Sequence, residues 1–408
     1  MHSSASAKPF PYTIRELTGS DLDQYNALLR YAFQVTEQDL MEAGWRDDEI
    51  KQSKFPVLER ADILGCYDGD NLISQFAVYP LKMNIYGTTF HIGFITSVST
   101  YPEYSGQGIM SRLMRKSLGR MRDKKQSLAL LYPYSIPLYR KHGWEIISNK
   151  ISYVVKDRQI PSAYRAPGIV RRVDWENSDF RNLHTTFAAQ THGCLFRNSL
   201  AWEEFWRWEL DDTMVAIYYS ATKKPLGYMV YLLRNDIMYV KEMIYLNLEA
   251  QMGLWSYIHA HDSMIDEVRG NTYYNEPIAF DMDDADIKET IRPYIMGRIV
   301  DVKEFFASYP CDPGEKDVCI AFDITDPFLD WNSDTFNVLF HAGGCHVGRH
   351  SPDFHVSMSI GTLTTLLLGY KSAAQLYRRG RIETPNAEAI RRLDDAILHE
   401  TPYISDYI

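Results

Sequence analysis

From Leu22 to Phe33 the apolar positions recur at helical spacing. Leu22, Tyr25, Leu28, Leu29 and Phe33 share one face, and Gly19-Ser20-Asp21 marks the start of the run. The period then shortens. Ile63–Tyr67 and Leu72–Leu81 read as strands joined by Asp68-Gly69-Asp70-Asn71, a hairpin turn signal. Lys82–Ile85 and Thr88–Val98 continue the strand character across Tyr86-Gly87. A helix-spaced apolar stretch runs from Ile109 to about Lys125. A short apolar strand at Leu128–Tyr132, a turn at Pro133, a short helical piece and a β-rich segment from Trp144 to Val155 follow. Antiparallel strands, then a strand, a glycine-bearing loop, a helix and another strand describe one compact α+β unit.

The pattern repeats in outline further on. Ser152–Pro167, with Pro161, Pro167 and Gly168 near its end, is expected to be a linker. A second α+β unit runs from Ile169 to about Arg298. It has a Trp-rich helix (Trp202, Phe205, Trp206), strands at Val215–Tyr219 and Gly227–Leu233, and a helix from Leu248 to about Val268. The third unit begins near Val300. It has strands at Val318–Ile324, Phe336–Phe340 and Phe354–Ser359, and helices near Leu363–Leu368 and Ala387–Leu398. The expected division is residues 1–155, 156–298 and 299–408, in keeping with two or three domains for a chain of 408 residues.

Composition narrows the classes. Hydrophobic residues at 45% and charged residues at 24% are the balance of a globular protein. No apolar run approaches the ~18 residues needed to span a bilayer, and the first residues lack the pattern of a secretory signal. A membrane partner is not expected. Five scattered cysteines make no disulfide framework, so reduced thiols in a cytoplasmic protein are expected. A net charge of −10 argues against nucleic acid as a partner and suits cationic small molecules.

The chemistry is concentrated between Phe94 and Met114. A strand ending near Thr100 leads through a tight loop with Gly106 and Gly108 into a helix. Such a junction presents unpaired amides at the positive end of a helix dipole, which suits a pyrophosphate, and glycine lets the phosphate approach them. The alternative at this point is a plain strand-to-helix turn. The run Val98-Ser-Thr-Tyr-Pro-Glu-Tyr-Ser-Gly-Gln-Gly-Ile-Met-Ser-Arg-Leu-Met114 resembles the coenzyme A motif of the GNAT superfamily of N-acetyltransferases. Glu103 stands at the first motif position, and Ser105 stands where an arginine is often found. The resemblance implies acetyl-coenzyme A as co-substrate. It also implies that Val98, Ser99 and Thr100 pair with the pantetheine arm, and that the amides of Gly106, Gln107, Gly108, Ile109, Met110 and Ser111 hold the pyrophosphate. Tyr134-Ser-Ile-Pro-Leu-Tyr139-Arg-Lys-His-Gly143-Trp144 is similar to the closing element of the same superfamily. It implies Tyr139 as the general acid that protonates the coenzyme A thiolate, with Tyr134 and Ser135 near the cofactor.

The middle unit again suggests this topology, yet its junction at Val240–Trp255 has no glycine loop, since Gly253 falls within the helix. This copy is expected to bind no coenzyme A. The last unit, with Gly361–Tyr370 after a strand, is similar to a sterol-carrier-protein-like domain. An active GNAT unit, a degenerate one and a sterol-carrier-like tail together resemble the Eis (enhanced intracellular survival) acetyltransferases. That resemblance implies acetylation of primary amines on aminoglycosides or polyamines and assembly as a homohexamer. It also implies that the terminal carboxylate, here that of Ile408, acts as general base. An α-carboxyl near pKa ~3.5 becomes a better base when desolvated, and Tyr403–Ile408 is apolar and aromatic enough to be buried. A lipid or apolar-ligand carrier and a protein-lysine acetyltransferase are the other readings. His341, Cys345, His346 and His350 match no standard zinc spacing, so no metal is expected. Arg378, Arg379 and Arg381 read as a solvated loop, and His184 and His192 as structural. Glu37, Asp39, Glu42 and Asp406 are acidic candidates for a cationic pocket, with surface solvation the plainer account of each.

Overall fold

The computed structural model describes residues 10–42, 54–161, 166–207, 209, 212–314 and 316–408. The chain divides into two compact units, residues 1–80 with 93–124 and residues 81–92 with 125–408.

The smaller unit is an antiparallel array with helices packed on it. Thr13–Glu16 pairs with Asp62–Asp68, which turns through Gly69 (φ 58°) onto the strand beginning at Asn71. The strand ending at Thr100 follows in order. Helix Ile109–Asp123 packs against Asp62–Asp68 through Leu113, Leu118 and Met121 among its buried positions, the 3.6-residue stripe of an amphipathic helix. It lies so close that a Cβ on Gly93 would meet Val78 and Met121 at 2.5–2.6 Å. The expected elements are present here, and Leu72–Leu81 and Lys82–Ile85 form one uninterrupted strand, Asn71–Ile85.

The larger unit contains two complete sheets. In the seven-stranded one the order is Lys288–Pro293, Asn149–Lys156, Glu267–Thr272, Ile237–Tyr245, Pro225–Arg234, Met214–Tyr219 and Ile169–Val173. Ile237–Tyr245 and Glu267–Thr272 run parallel, joined by helix Leu248–His259. The helix expected to reach Val268 ends at His259, because the chain turns at His259–Met264 and Glu267 begins a strand. The expected linker is also corrected. Ser152–Lys156 belongs to the strand Asn149–Lys156, paired on one side with Glu267–Thr272 and on the other, as far as Val154, with Lys288–Pro293. Conversely, Met296–Ile299 leaves the segment expected to be the second domain and pairs with Leu128–Leu131 and Glu145–Ile146.

The C-terminal part has a five-stranded sheet in the order Gly344–Val347, Asp334–His341, Val318–Thr325, Phe354–Ser359 and Ile382–Glu383. Helix Ile360–Leu367, buried at every position, packs on Met296–Ile299 and Glu145–Ile146.

Two histidines sit in the larger unit without solvent. His192 stacks on Tyr86 at 3.7 Å, and its two ring nitrogens meet the Tyr86 amide and the Leu368 carbonyl. His184 bonds to the Tyr228 hydroxyl and the Leu195 carbonyl. Burial holds His192 down at about 4 and His184 at about 3, so both are neutral in the fold. An imidazole with a depressed pKa contributes stability above its ordinary value near 6.5, lost as pH falls toward the folded value. Thermal unfolding should therefore occur at progressively lower temperature between pH 6.5 and pH 4. His192 accounts for on the order of 3 kcal/mol of that loss. The slope of midpoint against pH should shrink in His192→Phe, and an unchanged slope would exclude this role.

Candidate active site

In the smaller unit, the strand Thr88–Thr100 ends in a kink. Ser97 has φ 54°, a left-handed conformation unusual for a residue with a side chain, and its Oγ accepts a 2.8 Å hydrogen bond from the buried Tyr25 hydroxyl. Beyond it the pleat separates the three strand residues of interest. Val98 and Thr100 are half-buried on one face, while Ser99 is buried on the other, its carbonyl accepting from Ser74 Oγ at 2.9 Å. The Ser99 side chain therefore points away from the face that Val98 and Thr100 present.

The loop that follows depends on glycine. Gly106 and Gly108 both have φ 75°, and no atom lies within 4 Å of where either Cβ would be. The backbone demands glycine, and open space lies in front of both residues. Gly108 is the N-cap of helix Ile109–Asp123 and has no side chain to cap the amides of the first turn. Ile109 is buried and anchors the helix, whereas Met110 and Ser111 are half-buried. The loop is pinned from one side by Tyr12, whose hydroxyl donates to Gln107 Oε1 at 2.7 Å. Arg112 and Arg115 sit exposed in the first two turns, with the Arg112 guanidinium 4.4 Å from the Phe10 ring. Sequence reading passed over these arginines, as it did Tyr12, Tyr25 and Ser97. Cations in the opening turns of an uncapped helix were the available signal.

In the larger unit, Leu128–Leu131 delivers the chain to Tyr132, Tyr134 and Ser135. Tyr134 is 95% exposed, and Ser135 is the N-cap of the short helix Ile136–Arg140. Tyr139, on that helix, is 6% exposed and meets Trp144 edge-on at 6.0 Å. Burial pushes its hydroxyl up to about 12, so it stays protonated at neutral pH. The turn after it is set by a buried cation. Gly143 has φ 84°, and Arg298 lies where its Cβ would be, with the Arg298 guanidinium bonded to the His142 carbonyl and to Asp326.

The chain end is held in the same unit. Tyr403 is buried among Phe187, Tyr273 and Tyr274, with ring centroids 4.8–5.9 Å away. The Tyr294 hydroxyl donates to the carbonyls of Ser405 (3.4 Å) and Asp406 (3.2 Å). Asp406 is not a solvated surface acid. It is 3% exposed and accepts from Arg197 Nε at 2.6 Å, while the other guanidinium nitrogens bind Glu242 at 2.6 and 3.0 Å. Ser405 Oγ and the Tyr228 hydroxyl also donate to Glu242, at 2.7 and 2.6 Å. Burial raises the Asp406 carboxyl against the pull of Arg197; in Glu242 burial also opposes ionisation, yet Arg197 brings it down to about 2. The next ring, Tyr407, packs on Tyr132 at 5.1 Å. Ile408 follows Tyr407 and is half-buried.

Other candidates fall elsewhere. Asp39 is exposed and accepts from the amide and hydroxyl of Thr36, closing the start of its own helix, Glu37–Glu42; the side chains of Glu37 and Glu42 lie outside the described residues. His346 Nδ1 and His350 Nε2 meet at 2.7 Å, and no group of three metal-binding side chains occurs among the described residues. Arg378 ends a helix, and Arg379 donates to the Gln375 carbonyl; both are exposed. Among the described residues no helix is long and apolar enough to cross a membrane.

Comparison with known proteins agrees with this architecture. Residues 13–147 and residues 193–299 each match an acetyltransferase (GNAT) domain family, and residues 302–405 match a sterol carrier protein domain. An uncharacterized N-acetyltransferase of Streptomyces griseus is 19% identical over 386 residues, 86% of this chain and 90% of that protein. Among solved structures, a probable N-acyltransferase of Enterococcus faecalis V583 superposes with a TM-score of 0.89 at 24% identity, covering 98% of this chain and all of that one. Eis1 of Mycobacterium abscessus gives 0.80 at 18% identity, covering 97% and all of it. These likenesses speak for the fold. The chain is an acetyltransferase, with two GNAT domains in tandem and a sterol carrier protein domain after them.

Proposed function

We propose that this chain is an Eis-type enzyme that transfers the acetyl group of acetyl-coenzyme A directly to primary amines of a cationic multi-amine acceptor, an aminoglycoside or polyamine. The observation that carries the reading is the uncapped helix start at Gly108, with two left-handed glycines and open space before the amides. The amides from Gly106 to Ser111 suit the pyrophosphate of coenzyme A, and Arg112 and Arg115 add positive charge beside it. The Val98 and Thr100 face suits the pantetheine arm; Ser99 contributes through its backbone alone. The second GNAT domain is read as inactive, because its helix start carries a side-chain cap: Asn247 Oδ1 accepts from the Ala250 amide at 2.9 Å.

Two groups of this chain handle the protons. The Ile408 α-carboxylate takes a proton from the acceptor's ammonium group, freeing the amine lone pair to attack the thioester carbonyl; the Tyr294 hydrogen bond to the Asp406 carbonyl, two residues before it, supports that role. The Tyr139 hydroxyl, protonated at neutral pH, gives a proton to the departing thiolate. Tyr134 and Ser135 lie between the strand Leu128–Leu131 and the helix that carries Tyr139. A net charge of −10 favours a cationic acceptor. Homohexamer assembly and a cytoplasmic location belong to the same reading.

With acetyl-coenzyme A and an aminoglycoside, free thiol should be released; no release across a panel of amines would sink the proposal. Gly108→Asp should abolish coenzyme A binding in calorimetry, since the variant is strained at φ 75° and sets a carboxylate against the phosphates. Tyr139→Phe should lower kcat by about 10²-fold with cofactor binding retained. A chain extended by several residues past Ile408 should lose nearly all turnover yet bind acetyl-coenzyme A normally. Unchanged turnover there would remove the terminal carboxylate from the mechanism.

A further inference from the structure

The second GNAT domain keeps a cleft although its phosphate site is closed. Its parallel strands pair only from Ile237–Glu267 to Val240–Gly270. Past that point each stays bound to its outer neighbour, Tyr245 opposite Gly227 and Thr272 opposite Ile151, so the two strands part. Between them opens a cavity of about 810 Å³, bounded by the start of helix Leu248–His259 and by the C-terminal segment at His399–Tyr403.

Its walls combine two features. Four aromatic rings cluster there: Tyr245 stacks on Tyr274 at 5.6 Å and 26°, Tyr403 lies 4.8 Å from Tyr274, and Phe187 lies 5.0 Å from Tyr403. Three carboxylates, Glu276, Asp281 and Glu400, line the same space, and among the described residues no lysine or arginine lines it. The negative field reaches the rings, because Asp281 and Glu276 add to burial in pushing the Tyr245 hydroxyl up to about 12. Burial also raises the Glu400 carboxyl. An anionic ligand is disfavoured twice, by these carboxylates and by Glu249 in the first helical turn. Aromatic faces with nearby carboxylates are the surroundings in which an alkylammonium ion is most stable outside water.

We propose that the cleft lined by Tyr245, Tyr274 and Tyr403 is a binding site for an alkylammonium ion, separate from the acetyl-transfer site of the first domain. Its cationic head lies against the aromatic rings, and Glu276 and Asp281 balance the charge. The test uses choline, which carries a quaternary nitrogen with no hydrogen to replace and so cannot be acetylated on nitrogen. Calorimetry on the full chain should show saturable binding of one choline per chain, displaced by spermidine. Affinity should fall at least about tenfold in Glu276→Gln/Asp281→Asn and again in Tyr274→Ala. Glu276 and Asp281 are exposed, so the double variant should keep its far-ultraviolet dichroism and its coenzyme A affinity. Absence of choline binding, or equal binding by the chain and the double variant, overturns the site. Neither outcome depends on whether thiol release is observed with amines.

Discussion

One buried guanidinium ties together the parts of the larger unit that bear on chemistry. Arg197 follows a two-residue strand, Glu242 lies in the middle of Ile237–Tyr245, and Asp406 stands near the chain end. Two carboxylates around one cation would be unstable alone in a dry interior. Here Tyr228 and Ser405 donate to Glu242, and the guanidinium lies 4.2 Å from the Phe205 ring and 4.8 Å from Trp202. Lysine could not replace it, because a point charge cannot serve a bidentate partner and a second acid together. Removing the arginine would leave both carboxylates buried without their cation, a loss of about 3–5 kcal/mol for a broken buried pair. The fold tolerates this concentration of charge because it fixes the last residues in place, where termini ordinarily fray.

What could be read from the sequence was local. Gly106 and Gly108 announced a left-handed loop before a helix, and the period of Ile109–Asp123 announced the helix itself. The hairpin at Gly69 was equally plain, since its turn chemistry is written in four adjacent residues. Arg197, Glu242 and Asp406 were not legible as a group, because up to 209 residues separate the partners and no periodicity connects them. Strand character through Val155 was legible in the β-rich stretch from Trp144, while the prolines that follow drew the start of the expected linker back to Ser152, the fourth residue of the strand Asn149–Lys156. Asp406 was misjudged for a general reason: an acid beside tyrosines looks like a surface residue until its cation is located.

The two GNAT domains differ in how their helix starts are capped. Both present a helix start after a strand in the same topology. In one the cap position is a left-handed glycine with nothing in front of it; in the other it is Asn247, whose side chain occupies the amides itself. The fold supplies the cleft, and a few side chains at its mouth decide the charge it accepts.

The exchange of strands has a consequence for how the chain is made. Leu131 pairs with Met296, so the first sheet lacks a partner strand until some 165 further residues have left the ribosome. At about 5–20 residues per second, that edge stays open for roughly 10–30 s. An unpaired hydrophobic strand held open so long is a point at which nascent chains aggregate. Until Met296–Ile299 arrives, Leu128–Leu131 is therefore open to pairing with another chain.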